Sequence, residues 1–294
     1  MRKLLITLLF VSCALGSAAW AADEPLRIIA VFAHPDDADS RMAGTAIQWA
    51  KMGHQVKFVS ITNGDAGHFE TGGARLAQRR RAESEEAARR YGIAEYKTLD
   101  NHDAELVPSL DVRKQVIREI REWKADIVLG LRPNDYHPDH RYAGVLVMDA
   151  AYMVVVPNSV SDVPALEKNP VFLYMRDRFT RPYPFQPHIT VIIDDVFDQK
   201  IDGQIAHESQ YFEWLPWVDR ILDEVPKDPA ARREWFIGWR GKPNINDEMR
   251  KNLEKWYGAE KAQKAVHAEA FEIAEYGYQP SEEEIRKMFP MLGQ

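Results

Sequence analysis

From residue 28 to residue 131 the chain repeats one pattern: a short apolar run, a turn, then a stretch with helical periodicity. Residues 28–33 are apolar throughout, as a strand buried on both faces of a parallel sheet requires. Residues 42–51 have helical spacing and stop at Gly53, a residue suited to the left-handed turn beyond a helix end. A second strand over 56–61 runs into Thr62-Asn63-Gly64-Asp65, and 75–91 reads as a charged helix closed by Gly92. A short strand at 96–99, a helix over 111–123 and a fourth strand at 127–131 follow, with further strands at 171–175 and 189–193. Such units in series predict an α/β fold: a Rossmann-like, doubly wound, mainly parallel sheet. Its ligand site lies at the carboxyl ends of the strands.

Both ends depart from this rhythm. Arg2 and Lys3 precede an apolar run over 4–15 and then Ala19-Trp20-Ala21, the three parts of an export signal over residues 1–21. The run is too short to span a bilayer comfortably, so the mature chain is expected to carry no transmembrane span and to be periplasmic or secreted. Cys13 after the apolar run would suit a lipidated cysteine, but Phe10 stands where Leu is usual. Past about residue 197 strands give way to helical segments rich in tryptophan, with helices expected over 199–212, 246–257, 259–276 and 281–288. Ser281 and Glu284 fit a capping box for the last of these. Residues 213–294 therefore read as a helical C-terminal extension on a sheet domain over 22–212. Hydrophobic residues make up 45% of the 294, enough for a substantial core. Asp and Glu outnumber Lys and Arg by 45 to 38, which argues against nucleic acid as a partner.

The chemistry gathers at two strand ends. Ala33-His34-Pro35-Asp36-Asp37 follows the first strand, and His137-Pro138-Asp139-His140 follows the fourth. In a doubly wound order these loops flank the crevice where the strand order reverses. Imidazole and carboxylate together suit zinc, or Fe2+ or Co2+ in the same geometry. Each cluster alone has a plain reading as a turn with a capping aspartate or as exposed loop histidines; their joint placement favours a metal site.

With these residues in view the chain resembles the PIG-L (LmbE-like) family of zinc-dependent de-N-acetylases. The resemblance rests on the two clusters, on Thr62-Asn63-Gly64-Asp65, on Arg80-x-x-Glu83 and on Ala206-His207-x-Ser209-Gln210, in that family's order over about residues 27–212. It implies zinc held by His34, Asp37 and His140, with Asp36 as general base and His137 stabilising the oxyanion. Asp139 is read as holding one of the imidazoles in its working tautomer. One departure stands out: the family commonly has Glu directly after the paired aspartates, whereas Ala38 and then Asp39 stand here.

Arg80 and Asp103 are read as substrate-binding residues, reaching sugar hydroxyls or an anionic substituent. His68 and His102 are candidates for the mouth of the site, His207 reads as a packed helix histidine, and Tyr136 reads as loop packing or a substrate contact. The expected partner is an N-acetylated sugar or glycoconjugate, and the expected activity is removal of its acetyl group. A sugar O-ester deacetylase with the same metal site, or a non-catalytic carbohydrate-binding module, are the competing readings. Intact acidic and imidazole positions count against the latter.

Overall fold

The computed structural model describes residues 24–293. Residues 1–21, read above as the export signal, lie outside the described residues. Strand β1 (Arg27–Phe32) leads to helix α1 (Asp37–Lys51), then β2 (Gln55–Thr62), α2 (Gly73–Tyr91), β3 (Glu95–Asn101), α3 (Leu110–Trp123), β4 (Ile127–Gly130), α4 (Pro138–Met153), β5 (Val171–Met175) and β6 (Ile189–Ile192). The remainder comprises α5 (Phe197–Gln204), a π-helical turn (Ser209–Trp214), α6 (Leu215–Val218), α7 (Pro229–Arg240), α8 (Asp247–Tyr257), α9 (Ala259–Lys264), β7 (Ala268–Gly277) and α10 (Glu282–Met288).

The strands form one sheet in the order β3-β2-β1-β4-β5-β7-β6. The first five are parallel, and β7 runs antiparallel to both its neighbours. Order reverses at β1: β2 and β3 extend to one side, β4 and β5 to the other. The loops leaving β1 and β4 therefore open onto a shared crevice. Beyond Arg27 every residue of β1 is buried, because helices cover both faces of the sheet, which explains its unbroken apolar run. Among the described residues no helix is long and apolar enough to cross a membrane.

Two expected elements are corrected. Residues 259–276 were expected to form one helix; the helix ends at Lys264, and Ala268–Gly277 is an inner strand of the sheet. Its Ala- and Glu-rich composition favours helix, but the open edges of β5 and β6 together satisfy the backbone of an extended segment on both sides. The helix expected over 199–212 also breaks after Gln204 and resumes as the π-helical turn. Helices α8 and α10 lie where the sequence places them, and α10 carries the capping box from Ser281 and Glu284. The C-terminal stretch is thus helical on its outside while β7 completes the sheet.

A buried ion pair fastens β7 to the helix that leaves β1. Glu269 accepts from the Gly44 and Thr45 amides at 2.9 and 2.7 Å and from the Thr45 hydroxyl at 2.6 Å. Lys200 Nζ reaches Glu269 at 2.8 Å and the Ser40 carbonyl at 2.9 Å. Removing one partner strands the other charge away from water. Glu269→Ala is expected to cost about 3 kcal/mol or more in denaturant unfolding, because Lys200 loses its counter-charge; a loss under about 1 kcal/mol would show that water reaches Lys200.

Candidate metal and catalytic site

At the end of β1 the His34 carbonyl accepts from the Asp36 and Asp37 amides at 2.7 and 3.2 Å, a tight turn that starts α1 immediately. Asp37, the first residue of α1, folds back so that its Oδ2 accepts from the His34 amide at 2.9 Å. Across the crevice α4 begins inside the second cluster. His137 is its N-cap and Pro138 its first residue, where a missing N–H costs nothing. His140 then points from the first turn of α4 towards His34.

The expected ligand atoms converge. His34 Nδ1 lies 3.1 Å from His140 Nε2, which lies 3.2 Å from Asp37 Oδ1; Asp37 Oδ2 is 3.7 Å from His34 Nδ1. Donors bound tetrahedrally at ~2.1 Å stand ~3.4 Å apart, close to the His34–His140 and His140–Asp37 Oδ1 separations, while the His34 contact is to the other Asp37 oxygen. Among the described residues the triads whose donor atoms all lie within 4.8 Å of one another are His34, His137 and His140, and His34, Asp103 and Asp139; Asp37 borders the first through its contacts with His34 and His140. The second is fully buried and its carboxylates are committed elsewhere, which leaves no open position for a substrate.

Electrostatics point the same way. The carboxylates of Asp36, Asp37, Asp103, Asp135 and Asp139 crowd this crevice, with the guanidiniums of Arg41 and Arg80 as counter-charges. Burial lowers the His34 pKa, but Asp103, Asp139 and Asp37 outweigh it and push it up to about 10. His140 is likewise lowered by burial and carried up to about 9 by Asp37 and Asp135. Burial raises the Asp37 pKa, yet His140 and His34 hold it well below the usual carboxylate range. A point with this much surplus negative charge favours a divalent cation, with the imidazoles deprotonated as ligands.

Each of the two histidines expected as ligands is held from behind. His34 Nε2 lies 3.0 Å from Asp103 Oδ1 and 3.3 Å from Asp139 Oδ2. Asp139 is itself held by the Ala104 and Leu106 amides at 2.7 and 3.3 Å. His140 Nδ1 lies 3.0 Å from Asp135 Oδ1, which also accepts from the His137 amide at 3.0 Å. Such carboxylate–imidazole pairs fix the ring and its tautomer. Sequence reading missed Asp135, although its place just ahead of His137 in the same loop was a usable signal.

The residues expected to do chemistry line the open side. Asp36 is partly exposed, and Arg80 Nη2 sits 3.2 Å from its Oδ1. Burial raises the Asp36 pKa and Arg80 opposes the rise. His137 Nδ1 accepts from the Asp139 amide at 3.2 Å, and its ring centroid is 4.6 Å from that of His34. Burial, then the neighbouring His34 and His140, lower its pKa. Arg80, expected to reach a substrate, is only 2% exposed: its guanidinium bridges Asp36 and Asp103 and donates to the Gly64 carbonyl. Gly64 and Gly67 make room for it, since a Cβ at either would meet Arg80 Nη1 at 2.5 or 2.8 Å. Asp103 faces His34 and is held below the usual carboxylate range at about 2; burial opposes the shift and His34 drives it.

Comparison with known proteins places this site in context. The family model described as PIG-L, GlcNAc-PI de-N-acetylase, matches residues 29–151, from β1 into α4. A diacetylchitobiose deacetylase of Thermococcus kodakarensis is 31% identical over 226 residues, 71% of this chain and 83% of the relative. A probable N-acetyl-alpha-D-glucosaminyl L-malate deacetylase of Bacillus anthracis is 24% identical, spanning 63% of this chain and 81% of its own. Among solved structures, the N,N'-diacetylchitobiose deacetylase of Pyrococcus horikoshii, complexed with an inhibitor, superposes with a TM-score of 0.62 at 25% identity. The match covers 84% of this chain and 83% of that one.

The remaining motifs interlock beneath the crevice. His207 Nε2 lies 2.9 Å from Asp39 Oδ1, and the Tyr91 and Tyr96 hydroxyls both donate to Asp39 at 2.8 Å. The Ser209 amide and hydroxyl donate to Glu83, and Gln210 Nε2 donates to the Gly67 carbonyl. Asp39 therefore does the anchoring one position beyond Ala38. His68 Nε2 lies 2.9 Å from Glu213, and the exposed His102 pairs with Asp65 at 2.7 Å. Asp39→Ala would leave a buried imidazole and two buried hydroxyls without their acceptor. The expected cost is about 3 kcal/mol or more, read as a fall in melting temperature; an unshifted melt would deny Asp39 this anchoring role.

Proposed function

The chain belongs to the PIG-L (GlcNAc-PI de-N-acetylase) family, and from that premise we propose that it is a metal-dependent hydrolase removing acetyl from an N-acetylated sugar. The observation that carries this reading is the convergence of His34, Asp37 and His140 at 3.1–3.7 Å, with Asp36 and His137 on the open side. Its relatives include deacetylases of N-acetylated sugars, which supports the substrate class. The basic and apolar N-terminal segment supports an exported, periplasmic or secreted enzyme.

When bound, zinc or a similar divalent ion supplies a Lewis acid that polarises the amide carbonyl and acidifies water. Asp36 accepts the proton of the attacking water and passes it to the departing amine. Its elevated pKa makes it a stronger base than a solvated carboxylate, while Arg80 holds it in place. With His137 Nδ1 occupied by the Asp139 amide, the neutral ring carries its proton on Nε2. That N–H is the donor for the amide oxygen as negative charge develops there. Asp103, Asp139 and Asp135 keep the two ligand rings aimed throughout.

Three measurements test the assignment. His34→Ala, Asp37→Ala and His140→Ala should each purify with sharply reduced metal, whereas His137→Ala should retain it. Metal lost from His137→Ala but kept by Asp37→Ala would replace the expected triad by His34, His137 and His140. Asp36→Asn, with metal retained, should lose roughly 100-fold or more in kcat for acetate release; near-normal turnover would hand the proton to another group. Asp135→Asn should weaken metal affinity by about 10- to 100-fold, and unchanged affinity would deny it the role of orienting His140.

A further inference from the structure

Tyr136 is 75% exposed, yet it stands against the centre of the site. Its ring centroid is 5.8 Å from that of His137 and 5.7 Å from that of His140. A second aromatic ring, Phe179, lies 6.4 Å away on the loop that follows β5. Both are held in place by arginines. Arg141 Nη1 donates to the Asp135 and Tyr136 carbonyls at 2.8 and 3.0 Å. Arg132 forms a two-pronged pair with Asp177, both distances 2.6 Å, and donates to the Phe179 carbonyl at 2.8 Å. Asp177 in turn accepts from the Phe179 amide at 2.9 Å.

An exposed Tyr136 and a half-buried Phe179, their backbones pinned by arginines, leave an aromatic surface open to a ligand. Rigid rings lose little entropy on binding and gain by covering their apolar faces. The surroundings favour a ring that is apolar on its face and polar at its edge. Arg178 and Thr180 flank Phe179 and, with Phe185, line a cavity of about 220 Å³. That cavity, next along the same loop, mixes donors and acceptors (Arg178, Thr180, Asn246, Glu248) with the Phe185 ring, a lining that suits a polyhydroxylated sugar better than an alkyl chain. Tyr152, 73% exposed within α4, has no such setting and serves as a comparison.

We propose that Tyr136, backed by Phe179, is a stacking platform for the sugar ring adjoining the acetamido sugar. The preferred ligand is then an N-acetylated di- or oligosaccharide or glycoconjugate rather than a single sugar. This rests on the function proposed above, because it takes His137 and His140 to mark where the acetyl group is cleaved.

Calorimetric titration of the metal-loaded protein with glucosamine and with a β-1,4-linked glucosamine disaccharide reads the platform without turnover. The wild type should bind the disaccharide more tightly. Tyr136→Ala should cut the disaccharide-to-monosaccharide affinity ratio about tenfold, while Tyr136→Phe and Tyr152→Ala keep it. A wild-type ratio near one, binding of neither sugar, an unchanged ratio in Tyr136→Ala, or its loss in Tyr136→Phe each overturns the stacking platform. Acetate release from the N-acetylated forms is measured in parallel. No release from either sugar, with the affinity ratio and its dependence on Tyr136 intact, refutes the deacetylase reading and leaves the platform standing.

Discussion

One imidazole, that of His34, is gripped by carboxylates on both sides, and much of the architecture exists to make that arrangement tolerable. Nδ1 faces Asp37 and His140, and Nε2 faces Asp103 and Asp139. These partners arrive from the loops after β1, β3 and β4 and from the first turns of α1 and α4. Only a sheet whose order reverses at β1 brings those ends together. Burying so many ionisable groups costs stability, and the apolar body of β1, β2 and β4 beneath them supplies the offset. Perturbed groups of this kind in a crevice, with Asp36 and His137 on its open side, support the function proposed above.

The C-terminal stretch braces this arrangement from outside. Strand β7 sits inside the sheet, and Glu269 and Lys200 clasp α1 two turns beyond Asp37. His207, which like Lys200 precedes that stretch, holds Asp39 on the same helix. Glu213 ties down His68 and receives both guanidinium nitrogens of Arg79, so the loop running from β2 to α2 is fixed to the π-helical turn. A region with the look of an appendage thus helps to position the first helix and one wall of the crevice.

What was legible in the sequence was local. The apolar run of β1 and the close-set residues of both clusters carry their meaning within a few positions, so the doubly wound frame and the meeting of the two clusters could be read directly, while the choice of His34, Asp37 and His140 came from the family resemblance. Strand β7 could not, because Ala and Glu favour helix until two strand edges compete for the backbone. Arg80 and Asp103, read as substrate-binding, illustrate a second limit: their place in the chain does not give their partners within the protein. Arg80 lies under Asp36, and Asp103 turns towards His34. Helix α4 was hidden in the same way, since His137-Pro138-Asp139-His140 reads as a metal motif while also being an N-cap, a first-turn proline and the start of a helix.

The three aspartates at 36, 37 and 39 show how one side chain acquires three fates within a single turn. Asp36 precedes the first helical residue and turns into the crevice, where burial raises its pKa against the pull of Arg80. Asp37 opens the helix and folds back on the strand end; burial would raise its pKa too, but His140 outweighs it and keeps the group ionised. Asp39 points inward, and His207 with two tyrosine hydroxyls overcomes a still deeper burial to hold it charged. The proposed base, the proposed ligand and the anchor therefore differ by where the chain leaves the sheet and enters the helix, not by residue type. Inserting or deleting one residue between His34 and Asp36 would shift all three assignments relative to the strand end at once. The spacing of this turn, more than any single carboxylate in it, is what the chemistry of the crevice requires.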